Sequence, residues 1–492
     1  MKGSMTAAPP EPVARPVAVP EVLVGAREPA DRVAADSVAD LAQLWDRMML
    51  SAAPAAGRNP VPIAVPGELR SVLSLFNAAA AGSLTGGPSA PSAGALYPYE
   101  HYAIVTGPEG PAVYTIEAVR RHCRLVRAGS DVHQALERSE LSPPGPGDAL
   151  VLTVVRPWLS MRKYGDRGYL YAQLDAAHLV THLMCLATQA FRHGALRTRV
   201  RTAPLCDLLD LDTGCRFVHS VLALGGAASD PAAGPAAEWS CVDSRQAAAC
   251  PDLSSWLEQE CWRSLNRHTT GTGGGGLPRF RLPETTAPGR DGSSPNRSSI
   301  SDLAARRRSA KDFAPDPLSG HDLDRVLAAL HTPFATSLRA DTEVSVSLVT
   351  HRVAGRSPQV HRLCGDGAGA DPVPFRLDED ELVSACMGQE HLRHACALAL
   401  FHIPRGDLFR HGLRGMDDAL LRAGALAHLL YLAGAGAGVA VTAIGGFDSD
   451  RWRSLARLPE LHEVLYIVLL GVAGPSMVKL DRLQPAYAHN ER

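Results

Sequence analysis

The segment "RRSAKDF" contains the residues best suited to binding an anion. Arg307 and Lys311 are four positions apart, with Ser309 between them. Two cations at this spacing can lie on one side of a turn or helix and neutralise a phosphate dianion, and a hydroxyl can add a hydrogen bond. Charge-assisted hydrogen bonds of this kind contribute about 1.5–3 kcal/mol each. The sequence therefore predicts a phosphate-binding set here, with a solvated basic turn as the alternative.

The pair Lys163-Tyr164, in "MRKYGDRGY", could accept a proton. A lysine that is removed from water, or a tyrosine polarised by a neighbouring cation, is a reasonable base towards a substrate carbon. An exposed, charged helix start is the alternative.

Two stretches of small residues could let a flat ring approach the main chain. The first consists of Pro91, Ser92, Ala93 and Gly94, and the second of Ile444, Gly445 and Gly446. Because nothing bulky intervenes, such segments can pack against an aromatic ring system and hydrogen-bond its polar rim. A plain strand-entry loop is the alternative for the first stretch, and a β-bulge or turn for the second. Either stretch could therefore border a planar ring.

His178 and His182 have the i, i+4 spacing of a metal-binding pair. No third ligand accompanies them and their helix is apolar, so we expect them to be core histidines. Asp175, on the same helix, is expected to be a structural hydrogen-bond acceptor. The ten cysteines are scattered without CxxC pairs. No metal site is predicted.

Composition is that of an ordinary soluble protein. The 492 residues are 46% hydrophobic and 20% charged, with a formal net charge of −2. This balance does not favour nucleic acid or an anionic membrane as a partner. The sequence contains no run of eighteen apolar residues, so no membrane span is predicted. The N-terminus lacks the apolar region of a signal peptide. We expect a cytoplasmic protein with reduced cysteines.

The two halves of the chain resemble each other. "RKYGDRGYLYAQLDAAHLVTHLMCLATQA" (162–190) matches "FRHGLRGMDDALLRAGALAHLLYLAGAGA" (409–437), and Gly165 and Gly412 lie 247 positions apart. Each segment continues as a helix that is apolar nearly all round, which predicts a buried helix. Each half then closes with a β run ending in Leu-Gly. The repeat predicts an α+β fold of two domain copies, each with a mainly antiparallel sheet and a long buried helix.

A stretch rich in Gly, Pro and Ser separates the copies. We expect a disordered tail at 1–35, a first domain at 36–226 and a second domain at 300–475. Residues 227–299 are predicted to be a linker that could contain one short helix, and 476–492 a C-terminal tail.

Four motifs carry a family resemblance. "RRSAKDF" resembles the opening R-x-S-x-R/K-x-F motif of the FMN-dependent nitroreductase superfamily, and "AIGGFDSDRW" resembles its later Gly-Gly-Phe segment. "PSAGALYPYEHY" and "MRKYGDRGYLYAQLDAAH" resemble the SagB-type azoline dehydrogenases, which oxidise thiazolines and oxazolines in ribosomal peptides. The resemblance spans both copies, roughly 60–226 and 300–475, and implies FMN as the cofactor.

The motifs are divided between the copies. The first copy keeps the Pro-Ser loop but carries "APAAGRN" (53–59) and "RTRVRTAP" where the second has "RRSAKDF" and "AIGGF". The second copy carries "ATSLRADT" (335–342) where the Pro-Ser loop should lie. Because nitroreductases are generally intertwined homodimers with sites built from both subunits, the resemblance implies two fused nitroreductase-like domains in an intramolecular pseudo-dimer. One composite FMN site per chain is expected, the mirror-related site is expected to be lost, and a monomer would suffice.

The resemblance also implies an activity. In SagB-type enzymes a Lys-Tyr pair is implicated in substrate deprotonation, which assigns that role to Lys163 and Tyr164. The expected reaction converts thiazolines or oxazolines of a ribosomal precursor peptide to thiazoles or oxazoles, with O₂ as the final oxidant and a cyclodehydratase as the partner that presents the peptide. The alternatives are a NAD(P)H-dependent nitro- or quinone-reductase, and a scaffold that has lost catalysis.

One departure bears on phosphate binding. Many members of the superfamily carry a basic residue just after the Gly of the final strand, whereas this chain continues as Gly471-Val472-Ala473-Gly474. Either Lys479 or Arg482 replaces that contact, or FMN binds more weakly.

Overall fold

The structure, a computed structural model, describes seven stretches of the chain. They are residues 61–81, 89–211, 216–227, 239–245, 300–331, 343–364 and 370–475. Both predicted tails, the linker helix, the segments 53–59 and 335–342, and Lys479 and Arg482 lie outside these residues.

The first half, which comprises the described residues up to 245, contains both strands and helices. Its strands are β1 Val61–Ile63, β2 Tyr99–Gly107, β3 Gly110–Glu117, β4 His122–Ala128, β5 Ala149–Val155, β6 Phe191–Arg197, β7 Phe217–Ala227 and β8 Ser240–Asp243. Its helices are α1 Arg70–Ala80, α2 Ser130–Arg138, α3 Trp158–Tyr164, α4 Arg167–Ala190 and α5 Ala203–Leu208.

The second half, residues 300–475, repeats much of this order. Its strands are β9 Leu318–Ser319, β10 Ser345–Thr350, β11 Val353–Ala354, β12 Gln359–Cys364, β13 Val373–Pro374, β14 Ala397–Pro404, β15 Ala440–Ile444 and β16 His462–Gly471. Its helices are α6 Ile300–Arg306, α7 Gly320–Leu327, α8 Glu379–Ala385, α9 Arg405–Phe409, α10 Leu413–Ala437 and α11 Ser449–Leu455.

The two main sheets share one strand order. The first runs β1-β8-β4-β3-β2-β5-β7-β6, and the second runs β13-β12-β10-β14-β16-β15. The five strands β3-β2-β5-β7-β6 correspond to β12-β10-β14-β16-β15, and every pairing within these two sets is antiparallel. Among the described strands of the first sheet, only β4 and β8 pair in parallel. The predicted α+β fold of two copies, each with a mainly antiparallel sheet, is confirmed.

The repeat extends to backbone conformation. Gly165 and Gly412 share φ 60° and ψ −148° at the turn before the long helix of each half. Glu140 and Met387, also 247 positions apart, both adopt positive φ, 60° and 56°. Because a side chain rarely adopts this region, the coincidence at a non-glycine pair indicates that the two halves fold along the same path.

The long helices α4 and α10 pack against each other at the centre. A Cβ on Gly424 would lie 2.5 Å from the Cβ of Ala177 and 3.1 Å from the Leu174 carbonyl oxygen. Ala177 and Gly424 are themselves 247 positions apart. Contact between equivalent positions is the mark of a twofold interface, in which a residue near the axis meets its own counterpart. The halves are therefore arranged as the two subunits of a symmetric dimer would be.

Each half also completes the core of the other. Leu432 of α10 is buried among first-half side chains, and Leu174 of α4 is buried among second-half side chains. Fully burying a leucine stabilises a fold by about 1.5–3 kcal/mol. The apolar composition of both long helices, read from the sequence as burial, is explained by this double contact.

Helix α10 is long and apolar enough to cross a membrane by composition alone. Of its most apolar window, 67% is buried inside the protein. Burial of this extent is typical of the core helix of a globular fold.

The first sheet extends further along the chain than the expected boundary at 226. Strand β8, within the stretch predicted to be linker, pairs with both β1 and β4. Its four residues are too few to show an alternating pattern amid Gly, Pro and Ser, whereas the sheet edge supplies partners that the sequence does not reveal.

Candidate active site

Arg307 reaches from the second half into the first. It follows the last residue of α6, and its Nε donates a 2.7 Å hydrogen bond to the Ser89 carbonyl oxygen. Its guanidinium lies 5.4 Å from the centre of the Tyr431 ring. The side chain is 8% exposed. The predicted phosphate-binding arginine thus contacts the segment that leads into the Pro-Ser loop.

Arg307 is a buried cation without a described counter-charge. Burial lowers its pKa and Arg308 lowers it further, whereas Tyr431, Tyr97 and Tyr99 act in the opposite direction; no carboxylate is among these groups. Within the described ranges, its Nη1 also lacks a hydrogen-bond partner. An unpaired buried cation is costly, so this position favours an anionic ligand.

Ser309 and Lys311 continue the same segment along β15. Ser309 Oγ donates to the Tyr431 hydroxyl (3.2 Å), which also accepts from the Ala443 amide (2.8 Å). The Ala310 amide donates to the Val441 carbonyl (2.8 Å). Lys311 is half-buried two residues beyond Ser309. The segment is therefore fixed beside the strand that leads to the Gly-Gly pair, and it is irregular rather than helical.

The Pro-Ser loop is held by Asp175 of α4. Ser92 Oγ donates to the carboxylate at 2.6 Å, and the Ala93 amide donates at 3.0 Å. The Tyr97 amide donates in turn to Ser92 Oγ (2.9 Å). Burial raises the pKa of Asp175 to about 7, against the opposing effect of these hydrogen bonds. Asp175 is thus the structural acceptor expected from the sequence, and the Ser92 hydroxyl is occupied within the loop.

Gly94 brings the loop against the Lys-Tyr pair. A Cβ on Gly94 would lie 2.5 Å from Tyr164 Oη and 2.8 Å from Lys163 Nζ, and its φ is +62°. Glycine is required here both by the backbone conformation and by the close approach. The half-buried Pro91 and Ala93 flank this contact.

The Lys-Tyr pair lies at the end of α3. Lys163 Nζ is 5.3 Å from the centre of the Tyr164 ring, so a cation does neighbour the tyrosine as expected. The lysine itself is exposed, so of the two options left open by the sequence the one with a lysine removed from water does not apply. Exposure depends on how α3 meets the rest of the fold, which local sequence does not encode. Tyr164 is half-buried, and its ring meets that of Tyr171 edge-on at 4.9 Å.

The Gly-Gly pair of the second half packs against α4 of the first. A Cβ on Gly445 would overlap the Tyr171 ring. Arg167 Nε donates to the Gly445 carbonyl (2.7 Å), and Gln389 Nε2 donates to the Gly446 carbonyl (2.8 Å). The glycine at 445 is therefore needed for contact between the halves, beyond the expected approach to a cofactor.

Ile444 is a core residue. Its side chain is 6% exposed and is buried among second-half side chains, opposite Ile467 of β16. Only its main chain can face a ligand at this edge.

These contacts form one cluster from both halves. Arg307 meets Ser89, Gly94 meets Lys163 and Tyr164, and Tyr171 meets both Tyr164 and Gly445. Arg307 and the Pro-Ser loop therefore do not lie on opposite faces of the molecule. Four residues of the cluster were not predicted from the sequence: Arg167, Tyr171, Gln389 and Tyr431. Arg167 and Tyr171 could have been considered, because they lie in the same motif as Lys163.

The mirror position has different residues. At the offset of 247, Asp418 replaces Tyr171, Arg422 replaces Asp175 and Arg199 replaces Gly446. Arg199 Nη2 and Asp418 Oδ2 form an ion pair at 3.1 Å, with side chains 23% and 12% exposed. An ion pair thus joins the halves where the other side has a glycine and a tyrosine.

Three histidines are buried between the long helices. His182 Nδ1 hydrogen-bonds His428 Nε2 (3.1 Å), and His178 Nε2 hydrogen-bonds the Tyr466 hydroxyl (3.1 Å). Burial lowers the pKa of His178 to about 3 and of His182 to about 4, and the nearby Arg307 lowers both further. His178 and His182 are core residues, as the sequence predicted. Across the described stretches, no group of three or more His, Cys, Asp or Glu side chains could hold a metal ion.

Comparison with known proteins finds a family similarity in the second half. Residues 304–472 match the model of the nitroreductase family. No curated protein matches the chain. A structure from Anabaena variabilis, described as a nitroreductase, shares 20% identity and a TM-score of 0.60, and the match covers 86% of this chain and 93% of the other. A match of that extent spans both halves, and it shows the fold.

Shorter structures match smaller parts of the chain. One is a chain of the E. coli microcin synthetase complex, with 17% identity, a TM-score of 0.30, and coverage of 43% of this chain and 91% of the other. Another is the NADPH:FMN oxidoreductase of Vibrio harveyi, with 17% identity, a TM-score of 0.24, and coverage of 38% and 76%. The second half is thus similar in sequence to the nitroreductase family, and the whole described chain has the fold of two fused nitroreductase-like halves.

Proposed function

We propose that this protein is an FMN-dependent dehydrogenase of the SagB type, which converts thiazolines or oxazolines in a ribosomally made peptide to thiazoles or oxazoles. The observation that carries the proposal is the composite cluster, in which motifs retained by only one half meet those retained by the other.

The residues of the cluster fit FMN. The buried Arg307 has an unpartnered Nη1 and no described carboxylate beside it, as a phosphate contact requires. Ser309 and Lys311 continue the same segment, so they are the further candidates for the phosphate and the ribityl chain. The small-residue loop at 91–94 and the main chain of 444–446 would border the isoalloxazine ring.

The reaction needs one acceptor for a proton and one for a hydride. Aromatising an azoline removes a proton from the α carbon and a hydride from the ring, and bound FMN supplies the hydride acceptor. Lys163 and Tyr164 are proposed to take the proton. Their tips converge on Gly94, and the exposure of Lys163 leaves it within reach of a large peptide. O₂ is the terminal oxidant in this proposal, so NAD(P)H is not consumed.

We further propose a precursor peptide as substrate, a cyclodehydratase as the partner that presents it, and the cytoplasm as the location. The six cysteines whose side chains the structure describes are free thiols, as a reducing compartment would keep them.

The direct test combines flavin analysis with turnover. The purified protein should be yellow and release FMN, and aerobic incubation with a synthetic thiazoline peptide should remove two hydrogens from the peptide and form hydrogen peroxide. NAD(P)H with a nitroaromatic is the matched comparison. Steady oxidation of NAD(P)H with an unchanged thiazoline peptide would replace the proposal with the reductase function, and a colourless protein inert to both would indicate a scaffold.

A further inference from the structure

Arg167 stands at an electrostatically unfavourable place. It is the first residue of α4, where the positive end of the helix dipole repels a cation. The equivalent residue, Arg414, lies 247 positions on, at the start of α10. Both side chains are exposed, so water screens much of this repulsion, and Arg167 in addition makes a contact with the second half.

That contact joins the halves at the candidate active site. Arg167 Nε donates to the Gly445 carbonyl at 2.7 Å, and its guanidinium lies 5.1 Å from the centre of the Phe447 ring. Tyr171, one helical turn further along α4, packs on Gly445 from the side where a Cβ would be. The two side chains therefore hold the same glycine of the other half.

The same residue is close in sequence to the proposed base. Lys163 and Tyr164 precede Arg167 by four and three positions, with the turn at Gly165 between them. The proposed proton acceptors and the anchor of the Gly-Gly pair thus belong to one short segment. A displacement of the Arg167 side chain would change the distance between the proposed proton acceptors and the Gly-Gly pair.

Resting on the proposed function, we infer that Arg167 is a positioning residue: it fixes the Gly445–Gly446 main chain relative to Lys163 and Tyr164, and it places a positive charge beside the edge of the flavin site. It does so through Gly445 rather than by contact with the phosphate. Its loss should therefore leave cofactor binding intact while altering the chemistry.

The test compares Arg167→Ala, Arg167→Lys and Arg414→Ala, the last as the repeat-equivalent control. The readouts are released FMN per chain, thermal stability, the reduction potential of the bound flavin, and kcat and KM with a synthetic thiazoline peptide. Arg167→Ala should retain FMN, shift the potential to more negative values because a cation is lost, and lower kcat about 10- to 100-fold with little change in KM. Arg167→Lys should restore part of the reduction potential and part of kcat. Arg414→Ala should match the wild type in both quantities.

Two results would overturn the inference alone: a loaded Arg167→Ala protein with wild-type potential and kcat, or equal losses of stability and activity in Arg167→Ala and Arg414→Ala. A wild-type protein that purifies without flavin would instead overturn the proposed function and this inference together.

Discussion

At the scale of single residues, the cluster depends on charges removed from water. Arg307 is a buried cation without a described counter-charge, and Asp175 is a buried carboxyl that holds the Pro-Ser loop. Both are unfavourable in a core unless a ligand or a hydrogen-bond network compensates for them. Each can be tested by a substitution with a close control.

Arg307→Ala should lower flavin occupancy, because the variant loses the buried cation that we assign to the phosphate. Arg308→Ala is the matched control, since Arg308 is exposed and donates to the main-chain carbonyls of Ala305 and Arg307. Released FMN per chain measures both. Equal occupancy in the two variants would remove Arg307 from the cofactor site.

Asp175→Asn should change how stability depends on pH. Because burial raises the pKa of Asp175 to about 7, the carboxyl contributes its full stability below its usual pKa, and that contribution is lost as pH rises through about 7. The asparagine cannot ionise, so the melting temperature of the variant relative to the wild type should rise by a few degrees between pH 4 and pH 8. A difference that stays constant across this range would contradict the assignment.

The buried histidines change stability with pH in the opposite direction, and they do not affect the comparison of Asp175→Asn with the wild type. The lowered pKa values of His178 and His182 mean that stability is lost as pH falls from about 6.5 through about 3–4. They are present in both the wild type and Asp175→Asn, so their effect is common to the two curves.

The sequence predicted those parts of the cluster that belong to short motifs of small or charged residues. Arg307, the loop at 91–94, the Lys-Tyr pair and the Gly-Gly pair could be singled out because they lie in motifs that resemble those of a known family. Tyr171 and Gln389 could not be, since their types are common in amphipathic segments and only the meeting of α4 with the second half gives them a role. The exposure of Lys163 likewise follows from tertiary packing.

At the scale of elements, the crossing of α4 and α10 determines whether the cluster forms. Gly424→Val would place atoms where Ala177 and the Leu174 carbonyl already lie. Overpacking of this kind costs about 1–3 kcal/mol. We expect a lower melting temperature together with reduced flavin occupancy, because Arg307 and the Pro-Ser loop approach each other across the interface between the halves.

Gly406→Val is the control for the helix crossing. Gly406 lies in the short helix α9, and a Cβ there would meet no atom within 4 Å. Thermal unfolding and FMN release should separate the two valine variants. If both behaved alike, the crossing would not be what maintains the cluster.

Most elements were predictable and the shortest were not. The strand runs ending in Leu-Gly and the two long helices carry strong apolar patterns, and they appear where the sequence places them. β8 was missed because its four residues are stabilised by neighbours on both sides of the sheet rather than by their own pattern. Domain boundaries inferred from composition are inaccurate for the same reason, because composition does not reveal a short strand that is stabilised by its neighbours.

At the scale of the whole molecule, the halves are alike in fold and unlike in their sites. The mirror position has the ion pair of Arg199 with Asp418, and Arg422 occupies the place of Asp175. Burial lowers the pKa of Arg422, while Glu343 and Asp418 raise it. This charged interface offers no counterpart to the glycine and tyrosine of the candidate site.

The protein should therefore release about one FMN per chain, rather than the two that an intact symmetric pair would hold. Arg199→Ala should leave this stoichiometry unchanged, because the ion pair lies at the mirror position. Absorbance of the released flavin against protein concentration measures both. Two FMN per wild-type chain, or a loss of FMN in Arg199→Ala, would contradict a single composite site.

The crossing of Ala177 with Gly424 has a consequence for dilution. In a homodimer, a site shared between subunits dissolves when the concentration falls below the dissociation constant of the pair. Here both contributors are segments of one polypeptide, so their encounter is unimolecular and their effective concentration is set by the chain itself. Specific activity should stay level down to the most dilute assay.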